Sequence, residues 1–148
     1  MPLVTTDART LRLVAAYEGL ERDRLGDLLA LYHPNASFKD PFNEVLGQAA
    51  IRRLFEHMFE ALDDPRFVVT QAACEGDQAF LTWTFHFRRR GGGARMHILG
   101  STHRHYAPDG RVHLHRDYWD AAEELYAKLP VLGALMRWLQ RRLASPAP

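Results

Sequence analysis

The chain is poor in cysteine, in net charge and in long hydrophobic runs, and each shortage excludes a class of protein. Cys74 is the single cysteine among 148 residues, which excludes an internal disulfide. Nineteen basic and 18 acidic residues give a formal charge of +1, so no global field attracts nucleic acid. No apolar run approaches the roughly twenty residues of a membrane span, and the N-terminus lacks the pattern of a secretion signal. We expect a cytoplasmic protein without a nucleic-acid or membrane partner.

Apolar residues make up 47% of the chain, which is enough to fill the core of one domain. Helical steps of three and four residues dominate the first part, and a break near Arg22 and Asp23 predicts two helices there. A third helix over about residues 48–62 carries one apolar stripe. The Asp63-Asp64-Pro65 segment ends this helix, because proline disfavours helical geometry in the residue before it.

The apolar period changes to two between Phe67 and Asp120, which indicates β-strands. Turn residues mark three reversals between four strands, at Gly76-Asp77, at Gly91-Gly92-Gly93 and at Pro108-Asp109-Gly110. Two shorter strands are expected earlier, at residues 36–39 and near Val45. Helices followed by an antiparallel meander favour an α+β fold in which the helices cover one face of a curved sheet.

The segment from Ala30 to Phe55 is the most informative, because it places the Asp40-Pro41 dipeptide at a corner between the two short strands. With Gly47-Gln48-Ala49-Ala50-Ile51, Asp109-Gly110-Arg111 and Asp117-Tyr118-Trp119, it resembles the nuclear transport factor 2-like superfamily, in particular SnoaL-like proteins and ketosteroid isomerases. The resemblance spans about residues 8–121. It implies a cone-shaped α+β fold, with a curved antiparallel sheet packed on three N-terminal helices, and a homodimer.

The resemblance also implies roles for single residues. Asp40 corresponds to the general base that moves a proton between two carbons beside a ketone, and Tyr17 to the tyrosine that stabilises the oxyanion. Tyr32 corresponds to a supporting tyrosine and Trp119 to a wall of the pocket. A carboxylate that loses hydration at an apolar mouth can both take up and return a proton. The alternatives are an Asp40 that only ties a corner and a Tyr17 that only fills the core.

Two departures separate the chain from the steroid isomerases. Their oxyanion hole combines a tyrosine with a protonated aspartic acid, and the position of that acid falls on Thr102 here. Phe55 replaces a supporting tyrosine. Because a hydroxyl is a weaker donor than a carboxylic acid, we do not expect steroid isomerisation.

Strand alternation adds a second acid/base group. If Trp119 faces the pocket, then Asp117, His115 and His113 face it too. His115 would lie beside Asp117 and opposite Asp40. Imidazole titrates near neutrality, and the neighbouring carboxylate would fix its tautomer and raise its pKa. The alternative is a structural Asp117 that ties the last strand to a helix.

Eight histidines raise the question of a metal site. If Tyr106 pairs with Arg111 across the last hairpin, His103 and His105 face outward, and two histidines on each face are too few for a closed site. A shorter hairpin loop would change the register and gather four histidines on one face. We expect no metal and no cofactor.

The C-terminal part extends beyond the minimal fold. Residues 120–129 and 131–143 predict two helices separated by Pro130, and the second helix has an apolar stripe. Packing in the core, closure of the cone and contact with a second subunit would each explain that stripe. We expect a cone domain over residues 1–121 and a helical extension over 122–148 that packs on it, with a frayed tail from Ser145.

These features favour a protein that binds a small hydrophobic molecule. The candidate catalytic residues are Asp40, Tyr17, His115 and Asp117, acting without a cofactor as in an isomerase or cyclase. The residues expected to bind the substrate are Tyr32, Phe55, Trp83, Phe85, Thr102 and Trp119. Epoxide hydrolysis is not favoured, because the chain shows no Asp-Arg-Asp arrangement with a water-holding Asn and Tyr. A non-catalytic ligand-binding or dimerisation scaffold of the same fold is the alternative.

Overall fold

Two helices come first in the chain, as the apolar periods predict, and the third follows the two short strands. The computed structural model describes residues 5–124 and 130–144. Helix α1 spans Ala8–Glu18, a 3₁₀ turn spans Arg22–Arg24, and helices α2 and α3 span Leu25–Leu29 and Gln48–Ala61. The predicted break near Arg22 is confirmed. Asp7 starts α1, because its carboxylate accepts a hydrogen bond from the Thr10 amide.

Six strands form one curved sheet. They are β1 (Tyr32–Lys39), β2 (Glu44–Leu46), β3 (Leu62–Glu75), β4 (Gln78–Arg89), β5 (Arg95–Tyr106) and β6 (Val112–Tyr118). Their order is β2-β1-β6-β5-β4-β3, and every neighbouring pair is antiparallel except β1 and β6. The sheet is therefore mixed, because the chain returns to β1 only after the long crossover through α3 and the meander. The α+β class and the cone-shaped fold are confirmed.

Strand β3 begins earlier than the sequence predicts. The expected break at residues 63–65 lies inside the strand, which starts at Leu62. Asp64 has a φ of 49°, in the left-handed region, and the pairing with β4 shifts between Asp63 and Arg66. Such a bulge lets the chain pass from α3 straight into the strand, and it explains why Pro65 is tolerated there.

The apolar core lies between the helices and the inner face of the sheet. Its most deeply buried side chains include Leu13, Leu28, Tyr32, Ile51 and Val112. A second cluster continues along β4 and β5 and consists of Trp83, Phe85, Phe87 and Ile98. This second cluster supplies much of the aromatic wall of the site described below.

Two helices follow the sheet. Helix α4 spans Ala121–Glu124 and contacts β5, and helix α5 spans Pro130–Leu143 and contacts α4. The rest of the first predicted C-terminal helix, residues 125–129, and the tail from Ser145 lie outside the described residues. In the ranges that the structure describes, no helix is long and apolar enough to cross a membrane.

Candidate active site

A cavity of about 200 Å³ opens between helix α3 and the inner face of the sheet, and we call it the outer cavity. Its walls are largely apolar, and they include Phe55, Trp83, Phe85 and Trp119 from the predicted substrate-binding residues. Two carboxylates stand in this lining, Asp40 after the end of β1 and Asp117 near the end of β6. Tyr17 reaches the same cavity from α1.

A smaller inner cavity of about 20 Å³ lies behind the first. The residues that line both spaces, and so separate them, are Tyr17, Phe67, Trp83 and Asp117. Of these two cavities, Thr102, Arg104 and His115 line only the inner one. That space holds about one water molecule, so a ligand stays in the outer cavity. Such a ligand contacts Asp117 directly, and His115 and Thr102 act on the ligand only through Asp117.

Gly100 allows Trp83 to cross strand β5 and to reach the site. A Cβ atom at Gly100 would lie 2.3 Å from the Trp83 ring, so any side chain there would collide with the indole. The indole Nε1 donates to Thr102 Oγ1 at 2.7 Å, and the Thr102 hydroxyl donates to Asp117 Oδ1 at 2.5 Å. Because an ionised carboxylate can only accept, the threonine hydroxyl gives its one proton to Asp117 while its oxygen accepts from the indole.

His115 lies between Asp117 and two donors. Its Nε2 is 2.8 Å from Asp117 Oδ1, and an ionised carboxylate can only accept, so Nε2 carries a proton. Its Nδ1 faces the Tyr32 hydroxyl at 2.8 Å and the Arg104 Nε at 3.4 Å. Since the guanidinium can only donate, Nδ1 accepts, and the imidazole is the neutral tautomer with its proton on Nε2.

The direction of these bonds continues into the two tyrosines. Burial raises the pKa of Tyr32 to about 12 and raises the pKa of Tyr17 well above its ordinary value, so each hydroxyl keeps its proton. Tyr32 donates its proton to His115, and Tyr17 therefore donates to the Tyr32 oxygen at 2.5 Å. Tyr17 has no second proton for a ligand. In this arrangement it offers an acceptor, whereas the resemblance implies an oxyanion donor.

Sequence reasoning missed Arg104, which is only 4% exposed and belongs to the same network. Its Cζ atom lies 4.8 Å from the centroid of the Tyr17 ring, and its Nη1 donates to no group among the described residues. His115 stands between this guanidinium and the Asp117 carboxylate. Arg104 thus supplies a positive charge that balances Asp117 inside the cone. The available signal is strand alternation, since a β5 that turns Thr102 inward also turns Arg104 inward.

Asp40 lies in a tight turn at the edge of the outer cavity. Its Oδ1 accepts hydrogen bonds from the amides of Phe42 and Asn43 at 2.8 and 2.7 Å, and the Asn43 side chain donates to both carboxylate oxygens. This is the local corner that competes with a catalytic role. Asp117 differs, because its hydrogen bonds from the described residues all end on Oδ1 and leave Oδ2 unengaged.

His113 does not face the cavity, so the prediction from simple alternation is wrong. Tyr106 pairs with Val112 instead of Arg111, and the register of β5 and β6 shifts between His105 and Tyr106. This bulge turns the His113 ring away, to a position 4.7 Å from the His105 ring centroid. Within residues 5–124 and 130–144, no group of three or more His, Cys, Asp or Glu side chains is placed to hold a metal ion.

Burial lowers the pKa of His115, which is the reverse of the direction predicted from its neighbouring carboxylate. Asp117 and Asp40 raise this pKa and Arg104 lowers it, but the loss of hydration around the charged imidazole has the largest effect. The ring is also stacked on Phe38, with centroids 4.2 Å apart. His115 is therefore kept neutral by its surroundings, in agreement with the tautomer assigned from its hydrogen bonds.

The lowered pKa of His115 predicts a fold that weakens in mild acid. The neutral His115 ring contributes fully to the free energy of unfolding above pH 6.5, the ordinary pKa of histidine. This contribution is lost as the pH falls from that value through the lower pKa of the folded state. The free energy of unfolding should fall below pH 6.5 by at most about 1.4 kcal/mol per pH unit for this one proton. In urea titrations, His115→Gln should flatten that slope, whereas His57→Gln, at an exposed site outside the network, should preserve it. An unchanged slope in the His115 variant would contradict the assignment.

Several solved structures share the fold of this chain. A protein of ketosteroid isomerase-like fold from Catenulispora acidiphila, in complex with trimethylamine, has a TM-score of 0.72 at 16% identity, over 85% of this chain and 96% of that one. An LEH-like epoxide hydrolase from M. tuberculosis has a TM-score of 0.63 at 15% identity, over 93% and 94% of the two chains. A protein classed as a SnoaL-like polyketide cyclase, from Shewanella denitrificans, has a TM-score of 0.65 at 16% identity, over 81% and 96%. No functionally curated protein matches the chain.

The sequence itself identifies the family. The family model of the SnoaL-like domain matches residues 13–115, which is more than half of the chain. The matched part runs from helix α1 into strand β6 and contains Tyr17, Asp40 and His115, while Asp117 lies two residues beyond it. The chain therefore belongs to the SnoaL-like family of the nuclear transport factor 2-like superfamily.

Proposed function

We propose that this protein is a cofactor-independent enzyme that moves a proton on a small hydrophobic molecule, as an isomerase or cyclase does, with Asp117 as the general base. The proposal rests on a difference between the two carboxylate oxygens of Asp117. Oδ1 accepts from Thr102 and His115, while Oδ2 receives no hydrogen bond from the described residues, and the side chain lines the outer cavity. A general base needs a free lone pair within reach of its substrate.

His115 and Thr102 would act through Asp117. The two hydrogen bonds that they donate hold the carboxylate in one orientation and stabilise its charged form. When Asp117 takes a proton from the substrate, the negative charge passes from the carboxylate to the substrate. Arg104 then balances the new anion as it balanced the old one, so the net charge inside the cone does not change.

The size of the outer cavity sets the class of substrate. An engineered apolar cavity of about 150 Å³ binds benzene, so a cavity of about 200 Å³ suits a molecule of one or two rings. A four-ring steroid would displace the side chains of the wall. With a carboxylate as base, the substrate would carry an acidic C–H group beside a carbonyl, and its ring would contact the aromatic wall.

Exchange of substrate protons for deuterium tests the proposal. In deuterium oxide, one- and two-ring ketones such as cyclohexanone and 2-tetralone should lose their α-protons faster with the protein than without it, and a steroid ketone should not. Proton NMR follows both the exchange and the binding. Binding without exchange would favour the non-catalytic ligand-binding scaffold, and the absence of both would overturn the pocket proposal as well.

Filling the outer cavity should weaken ligand binding and slow proton exchange together. Met58 is half-buried, lines the outer cavity and lies outside the hydrogen-bond network, so Met58→Trp adds bulk where the ligand would lie. We expect the affinity for 2-tetralone to fall at least about tenfold, roughly the effect of 1.4 kcal/mol. Leu46→Trp, at a site that is 69% exposed and outside the cavity, is the matched control and should bind like the parent. Equal binding by both variants would place the ligand elsewhere.

The homodimer implied by the resemblance is part of the proposal. Phe80, Leu99 and Tyr118 are exposed on the sheet strands. Exposed apolar side chains on a sheet favour a contact with a second copy.

A further inference from the structure

Helix α5 exposes an apolar stripe that contains a tryptophan. The exposed side chains are Val131 at 85%, Leu135 at 49%, Trp138 at 47%, Leu139 at 36% and Leu143 at 83%. Their spacing of three and four residues places them along one side of the helix. On another side Gly133 is buried, so the helix already has a packed face and the stripe is a separate surface. An apolar surface of this extent marks an interaction site.

The charged residues of α5 are all basic. They are Arg137, Arg141 and Arg142, and no acidic residue occurs from Pro130 to Ala144. By the helical period of 3.6 residues, Arg137 and Arg141 lie on the side opposite Leu135 and Leu139. Arg142 instead lies on the stripe, with its Cζ atom 5.3 Å from the centroid of the Trp138 ring. The chain as a whole has a formal charge of only +1, so the positive charge of α5 is a local feature.

We propose that α5 binds the surface of an anionic lipid bilayer. A helix that lies in a membrane interface has leucine and tryptophan on one side and basic residues on the other, and α5 has both sides. Anionic headgroups complement Arg141 and Arg142, and tryptophan favours the boundary between headgroups and acyl chains. The long stem of Arg142 can lie along the stripe while its guanidinium reaches the headgroups.

A second copy of the chain suits this surface less well than lipid. A symmetric contact between two α5 helices through the stripe would bring the two copies of Arg142 together, and α5 has no acidic residue to pair with them. Helix α5 is too short to span the membrane, because its 14 residues are about 21 Å long and the hydrocarbon core is about 30 Å thick. The proposal departs from the expectation of a protein without a membrane partner, and it does not depend on the chemistry of the outer cavity.

Vesicle sedimentation of the full chain tests the proposal. The probes are vesicles of phosphatidylcholine alone and vesicles in which about one third of the lipid is phosphatidylglycerol. The protein should bind the anionic vesicles, release them as salt is raised, and ignore the neutral ones. Two α5 variants should lose binding. Arg141→Gln with Arg142→Gln should lower the partition coefficient by about fivefold for each arginine, and Leu135→Gln with Leu139→Gln should lower it at least as much.

The control removes two charges from another exposed basic cluster. Arg88 and Arg89 lie at the exposed end of β4, so Arg88→Gln with Arg89→Gln changes the net charge by the same amount without touching α5. Binding should survive in this variant. Equal loss in both arginine pairs would show a non-specific effect of net charge and would overturn the proposal. A parent protein that ignores anionic vesicles, and whose dimer dissociates in the Leu135 and Leu139 variant, would show instead that a second copy covers the stripe.

Discussion

The Asp117→Asn variant should exchange substrate α-protons about 10²–10⁴-fold more slowly than the parent, which is the usual effect of removing a general base. The amide oxygen can still accept from Thr102 and His115 at the position of Oδ1, so the network that holds the side chain is preserved. What the variant lacks is the basic lone pair of Oδ2. Initial rates of deuterium incorporation into 2-tetralone, measured at equal concentrations of folded protein, give the ratio directly.

The Asp40→Asn variant is the decisive comparison, because Asp40 is the base that the family resemblance implies. Its carboxylate lines the same cavity but accepts four hydrogen bonds in its own turn. Asparagine can preserve most of that turn, and we expect the exchange rate to change by less than about tenfold. A loss of about 10³-fold in this variant, with little effect from Asp117→Asn, would assign the base to Asp40 and reject our proposal.

The fold was predictable because local signals and tertiary structure agree in most of the chain. The apolar stripe of α3 and the glycine turns after Glu75, Arg89 and Tyr106 each specify one element without knowledge of the others. Disagreement occurs at two bulges. The one at Asp64 lets β3 start at Leu62, and the one beside His105 turns His113 outward. A bulge changes the parity of every residue after it, and no residue type in these segments marks it reliably.

The site was less predictable than the fold, because its chemistry lies in contacts between distant parts of the chain. Tyr17 and Tyr32 are 15 residues apart, and Tyr32 and His115 are 83 residues apart. Sequence reasoning placed the residues in the cone but not the order of their hydrogen bonds, which makes Tyr17 a donor to Tyr32. Arg104 was missed for a different reason: a charged side chain is ordinarily assigned to the surface, although strand alternation turned it inward.

The Tyr32→Phe variant should lose about 2–4 kcal/mol of the free energy of unfolding, because one hydroxyl serves two buried partners. Its removal leaves the Tyr17 hydroxyl without an acceptor and His115 Nδ1 without its closer donor, and each unpaired group costs about 1–3 kcal/mol. Tyr106→Phe is the matched control, since Tyr106 is also buried but its hydroxyl bonds, among the described residues, only Thr10, which keeps a second bond to Asp7. We expect the control to lose about 1 kcal/mol. Equal losses in urea unfolding would mean that the tyrosine chain contributes nothing beyond an ordinary hydrogen bond.

The preference of the cavity for a ketone or a phenol tests the direction of the Tyr17–Tyr32 hydrogen bond, whereas the unfolding measurement tests its strength. In the parent protein Tyr17 gives its proton to Tyr32, so it can accept from the hydroxyl of a ligand but cannot donate to a carbonyl. Tyr32→Phe removes the acceptor and frees that proton. The affinity for 2-tetralone relative to 2-naphthol should then rise about fivefold, the effect of roughly one hydrogen bond of 1 kcal/mol. If the ratio of the two affinities stays the same while the free energy of unfolding falls, Tyr17 does not reach the ligand. The hydrogen-bonded row from Tyr17 to Asp117 would then support the base without recognising the substrate.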